Sequence, residues 1–243
     1  MKKISPFLIK AIGIYTLFFL VLTIRYFFFS ATEFSVHEKA VVKMGFLLIF
    51  IWICFCGSLM YLFRDKIKKF IQKIPLGWKI KFILFAIILL LIEEAIAVSM
   101  SNLAPFFGSE IGKAYITASA NYFHTIFFHS AIVIIPMFFI WAFFLSRYDF
   151  KPTQVFLLFG LSGSIGEATM APVNFIMGFW FFIYGLMIYL PAYSLPDAKK
   201  RGAEKPKLRH YILSVIAPLI FAMLFGFLAR ILQNFFRIEL FVN

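Results

Sequence analysis

The sequence predicts an all-α polytopic membrane protein, a bundle of about seven transmembrane helices with one short interfacial amphipathic helix. Three observations predict it. Of the 243 residues, 63% are apolar and only 14% charged, where a soluble domain carries roughly 45–50% and about 25%. Aromatic residues reach 21%, with 36 Phe among them, more apolar surface than a soluble fold of this size can hide. The apolar residues also fall in long runs, and about 20 such residues cross a hydrocarbon core as one helix.

The whole chain, 1–243, reads as a single transmembrane domain. The first span is 6–29. Met1, Lys2 and Lys3 ahead of it resemble a signal-peptide start, but the run is too long for one and no small-residue cleavage site follows, so a retained helix is expected. A polar link, 32–43, leads to the second span, 45–63. From Arg64 to Ile74 the apolar positions 67, 70, 71 and 74 have helical spacing beside a cationic face, the pattern of a helix lying on an anionic leaflet. The third span is 80–106. After a small-residue loop, 108–120, the fourth covers 121–145, with a kink expected at Pro136. The fifth, 153–170, is short and carries Gly160, Gly163 and Gly166. Pro172 opens the sixth, 172–190, and the seventh is 211–232.

The net charge of +13 has a bland explanation. Lys and Arg gather in short loops, where they set orientation and touch anionic headgroups. No basic, aromatic-interleaved soluble segment is available to bind nucleic acid, so the expected partner is the bilayer, with anionic headgroups at the cytoplasmic face. Of the 24 Lys and Arg residues, 18 lie in the segments that are cytoplasmic if the N-terminus is. The expected topology is N-terminus cytoplasmic and C-terminus extracytoplasmic. A prokaryotic plasma membrane is the expected host, from the small size and the lack of sorting signals. Cys54 and Cys56 are two residues apart on a helix and face different directions, so they form neither a redox pair nor a metal pair.

Ionisable groups at bilayer depth cost roughly 2.5–3.5 kcal/mol each on insertion scales, so those that persist point to function. Glu93, Glu94 and Glu167 qualify, joined by His124 and His129, with Ser101, Asn102, Asn121 and Asn174 as polar company. Glu94 and Glu167 each lie about 14 residues into their spans from the same side, roughly 20 Å deep. His129 lies roughly 12 Å from the opposite end. In a core about 30 Å thick these depths nearly coincide, and the remaining polar residues trace a path opening outward. At about 100° per residue, Glu94 shares a line with Ser101, flanked by Asn102, so Glu94 is the better candidate than Glu93 to face inward. Ser162, Ser164 and Glu167 sit among glycines, where helices can approach closely.

Two adjacent carboxylates at one depth cannot both ionise cheaply. A glutamate beside a histidine is a competent acid–base pair. Such a set can activate water, alone or on a divalent metal ion held by Glu94, His129 and Glu167. It can equally relay protons or hold a cation.

Glu93-Glu94 inside a membrane helix, followed by a His-bearing helix, resembles the glutamic intramembrane protease family that includes the CAAX-processing enzymes. That family pairs EExxxR with FxxxH and an HxxxN-type motif. Here no Arg follows in the span, Thr125 stands four residues before His129, and Met170 four before Asn174. The resemblance is confined to the dipeptide and is not read as membership. No Walker loop, GxSxG elbow, HExxH or CxxC is present. The leading expectation is a membrane-embedded hydrolase whose site opens to the extracytoplasmic side, with Glu94 as acid–base and Glu93, His129 and Glu167 around it; the alternatives are a proton- or cation-coupled transporter and a structural or assembly subunit.

Overall fold

The computed structural model describes residues 4–29 and 33–237. Lys2 and Lys3, which contribute to the predicted orientation, lie outside the described residues. Among the described residues there is no strand, only the isolated bridges Ile111–Ala114 and Tyr148–Glu204. The helices are α1 (Ile4–Phe29), α2 (Val36–Lys73), α3 (Trp78–Asn102) and α4 (Tyr122–Arg147), followed by α5 (Pro152–Met170), α6 (Pro172–Met177), α7 (Phe179–Tyr193), the single turn α8 (Ala198–Arg201) and α9 (Leu208–Phe236). Five of them, α1 to α4 and α9, are long and apolar enough to cross a membrane.

Two sequence expectations are corrected here. The second span and the amphipathic segment after it are not separate elements. They are parts of α2, one helix of 38 residues and roughly 57 Å at 1.5 Å per residue. Ser35 caps it, accepting from Glu38 N while Glu38 accepts from Ser35 N at 2.8 Å. No Pro or Gly interrupts Arg64–Lys73, so the helix runs on until Ile74, whose backbone is extended ahead of Pro75. The predicted sixth span is also not one helix. Gly178 at φ +73° divides it into α6 and α7, a left-handed conformation that glycine adopts without steric cost. By contrast, α4 runs unbroken through Pro136.

The centre of the bundle is α3. Half of its most apolar stretch is buried inside the protein, against 6% for α1. It packs on α2, α4 and α7. The most extensive helix pairing joins α5 to α7, and glycines make it possible. A Cβ on Gly160 would fall 2.5 Å from the Phe181 carbonyl oxygen, and one on Gly163 would fall inside the Tyr184 ring. Gly185 answers from α7, where a Cβ would meet the Phe156 ring at 2.6 Å. The bundle core is filled by Trp52, Trp141, Phe82, Phe138 and Phe159, and the Trp52 indole donates to the Ile183 carbonyl at 3.2 Å.

The Lys- and Arg-rich segments gather at one end of the bundle, called here the basic end. Arg201 ties it together. Its guanidinium pairs with Asp149 at 3.1 Å and donates to the Pro196 and Leu145 carbonyls, capping the last turn of α4, where a cation is favoured. His210 lies in the same basic surroundings. It is buried, stacked on Tyr148 at 3.8 Å, and its Nδ1 accepts from Lys207 N.

Candidate functional site

The three intramembrane glutamates come together where α3, α4, α5 and α7 meet. Glu93 and Glu94 are both buried, 4% and 8% exposed. Both glutamates are covered rather than Glu94 alone, because α3 packs against neighbours on several sides and its inward arc takes in two consecutive residues. Glu167, near the end of α5, is half-buried and acts electrostatically on both. The Tyr184 hydroxyl donates to Glu167 Oε1 at 2.6 Å. This contact follows from the glycine packing: the Tyr184 ring lies over Gly163, and Glu167 is one helical turn further along α5.

The α4 side contributes a second hydroxyl. Ser130 is buried beside the Glu94 carboxyl and acts on it electrostatically. His129 Nδ1 stands 3.3 Å from the same Ser130 Oγ. Both residues belong to a π-helical turn, Ile126–Ser130. Such turns insert an extra residue into a helix and recur at functional sites. The chain of groups thus runs from His129 through Ser130 to Glu94, past Glu93 to Glu167, and ends on Tyr184. Tyr122 also faces Glu94 from α4, while its hydroxyl donates to the Leu91 carbonyl at 2.9 Å.

Compensation within the cluster is sparse. Among the described residues the Glu93 carboxyl accepts no hydrogen bond, and its charged neighbours are the other two glutamates. Neither ion pair of the described residues, Lys113–Glu110 or Arg201–Asp149, involves the cluster. Nor do the described residues contain a group of three His, Cys, Asp or Glu placed to hold a metal ion. The imagined metal set of Glu94, His129 and Glu167 is therefore not assembled; the imidazole meets the serine instead.

The other predicted polar residues lie elsewhere and have partners of their own. Ser101 is buried at the end of α3, where its Oγ is 2.7 Å from Thr117 Oγ1 and accepts from Ile116 N. Asn102 is exposed and donates to the Val98 and Ala120 carbonyls. Asn121 caps α4 by accepting from Phe123 N and His124 N. These contacts tie the 108–120 loop to the helix ends. His124 is half-buried, edge-on to Phe128. Asn174 in α6 donates to the Glu167 backbone carbonyl at 3.2 Å, anchoring the end of α5 next to the cluster without touching the carboxyl.

Tyr184 and Ser130 were not singled out by the sequence. Tyr184 carried one usable signal, a glycine and a glutamate four residues apart on the helix it faces. No protein-family model, curated protein or solved structure matches this chain.

Proposed function

We propose that this chain is a proton-coupled membrane transporter whose proton-binding site is the cluster of Glu93, Glu94 and Glu167. One observation carries the reading: three carboxyl groups share a site with no Lys or Arg partner among the described residues, and hydroxyl and imidazole groups continue the line. Each ionisable group at bilayer depth costs roughly 2.5–3.5 kcal/mol, while a typical hydrogen bond returns about 1 kcal/mol. Helix pinning alone is poor compensation for three of them. A group that gains and loses a proton in each cycle is a reason to keep them. In this reading α5 and α7 cross the bilayer as a glycine-packed pair, giving seven crossings, and the basic end faces the cytoplasm.

The hydrolase alternative has one observation in its favour. The Ser130 hydroxyl lies between His129 and Glu94, as a hydroxyl nucleophile would beside a base. A serine-directed fluorophosphonate that labels Ser130 in the intact protein would favour it.

The transporter reading is tested in proteoliposomes with a trapped pH dye under imposed H⁺, Na⁺ or K⁺ gradients. Wild type is expected to move protons. Glu94→Gln and Glu167→Gln are expected to lose that flux at least about tenfold, the effect of removing an essential proton carrier, with the fold retained. Folded wild type that moves no proton under any gradient overturns the proposal.

A further inference from the structure

We propose that a cleft at the basic end, between the last turns of α2, the start of α3 and the end of α7, binds the phosphate headgroup of an anionic amphiphile. The cleft holds about 420 Å³, within the range of small-molecule sites. Lys68, Lys81 and Lys200 line it against one carboxylate, Asp197, so its charge is positive. Lys81 is fixed in place, since its Nζ donates to the Gln72 and Ile74 carbonyls at 3.3 Å each, and an ammonium has three donors. Lys68 is held over the Tyr193 ring at 5.3 Å. The first-turn N–H groups of α3 lie at the same place, and a helix N-terminus favours an anion.

Ser194 supplies an independent pointer. It lines the cleft and is 5% exposed, yet among the described residues its Oγ has no hydrogen-bond partner. Leaving a buried hydroxyl unpaired costs about 1–3 kcal/mol, and a turn of the Ser194 side chain toward the cleft would give its proton to a phosphate oxygen there. Apolar residues also line the cleft, with Phe82 and Phe85 of α3 next to Lys81. A soluble phosphate gains nothing from them, whereas the first methylenes of an acyl chain do. Trp78, which also lines the cleft, is the residue type that settles at headgroup level. The site is separate from the carboxylate cluster and does not depend on its function.

The test uses the full chain in detergent micelles, titrated with phosphatidylglycerol, phosphatidylcholine or inorganic phosphate and read by native mass spectrometry. One phosphatidylglycerol is expected to bind per chain, with phosphatidylcholine at least about tenfold weaker. Lys68→Gln with Lys200→Gln is expected to weaken it about tenfold. The equal charge change Lys199→Gln with Lys205→Gln, outside the cleft, is expected to alter it less than about twofold. Ser194→Ala is expected to weaken the lipid while raising the thermal midpoint of the lipid-free protein, a readout that does not depend on the lysine variants folding. Equal losses in the two lysine pairs would overturn the proposal, because the effect would then be diffuse charge. Displacement of the lipid by millimolar phosphate would overturn the amphiphile.

Discussion

Two groups of polar residues lie along α3 and α4 and are built in opposite ways. At the end of α3, Ser101 pairs with the Thr117 hydroxyl and the Ile116 N–H, Asn102 donates to the Val98 and Ala120 carbonyls, and Asn121 accepts from Phe123 N and His124 N, so that a loop is held to two helix ends. In the middle of the bundle, Glu93 accepts no hydrogen bond among the described residues, Glu167 accepts one from Tyr184, and Glu94 has the Ser130 hydroxyl beside it. The first group is neutral and satisfied, so its role is complete in the fold. The second is ionisable and under-compensated, and stability gives no reason to keep it. Residue type alone does not separate the two groups; their partners do.

The largest expected effect comes from the packing that assembles the second group. Gly163→Leu would drive a side chain into the Tyr184 ring, and α5 and α7 cannot then meet. Overpacking of this kind costs about 1–3 kcal/mol or more, and with backbone glycine packing lost the variant is expected not to yield folded protein, read by size-exclusion chromatography in detergent. Tyr184→Phe keeps the ring and removes the donor to Glu167. A bond to a carboxyl group contributes about 1.5–3 kcal/mol, so a fall in the thermal midpoint together with altered proton flux is expected. Ser101→Ala leaves the Ile116 N–H without its acceptor and is expected to cost about 1–3 kcal/mol with flux unchanged. Flux lost in Ser101→Ala at full stability would erase the distinction between the two groups. The smallest effect belongs to Asn121→Ala, where loss of the α4 cap is expected to lower stability by about 1 kcal/mol, again without a change in flux.

Hydropathy and charge clusters made the long helices legible, and helical rise gave reason to look for Glu94 and Glu167 together, which the fold places near enough to act on one another. The glycines of α5 correctly signalled a close helix approach. Three features were not legible. The end of the second span was invisible because a cationic amphipathic stretch continues a helix as readily as it starts one. Facing angles across α4 assumed about 100° per residue, and the π-helical turn Ile126–Ser130 breaks that spacing just before Ser130 enters the cluster. Tyr184 lies in a helix of aromatic residues, and neither periodicity nor composition distinguishes a ring that donates to a carboxyl from one that faces lipid.

The contrast between the two groups is tested most directly by the thermal midpoint of Glu93→Gln, measured beside Ser101→Ala in the same detergent. Replacing a buried, unpartnered carboxyl with a neutral amide of the same shape relieves part of a cost of roughly 2.5–3.5 kcal/mol. For a chain of this size about 1 kcal/mol moves the midpoint by roughly 2–4 °C. Glu93→Gln is therefore expected to melt at the same temperature as wild type or a few degrees higher, while proton flux is lost. A midpoint several degrees lower, matching Ser101→Ala, would contradict this and make the glutamate cluster part of the scaffold.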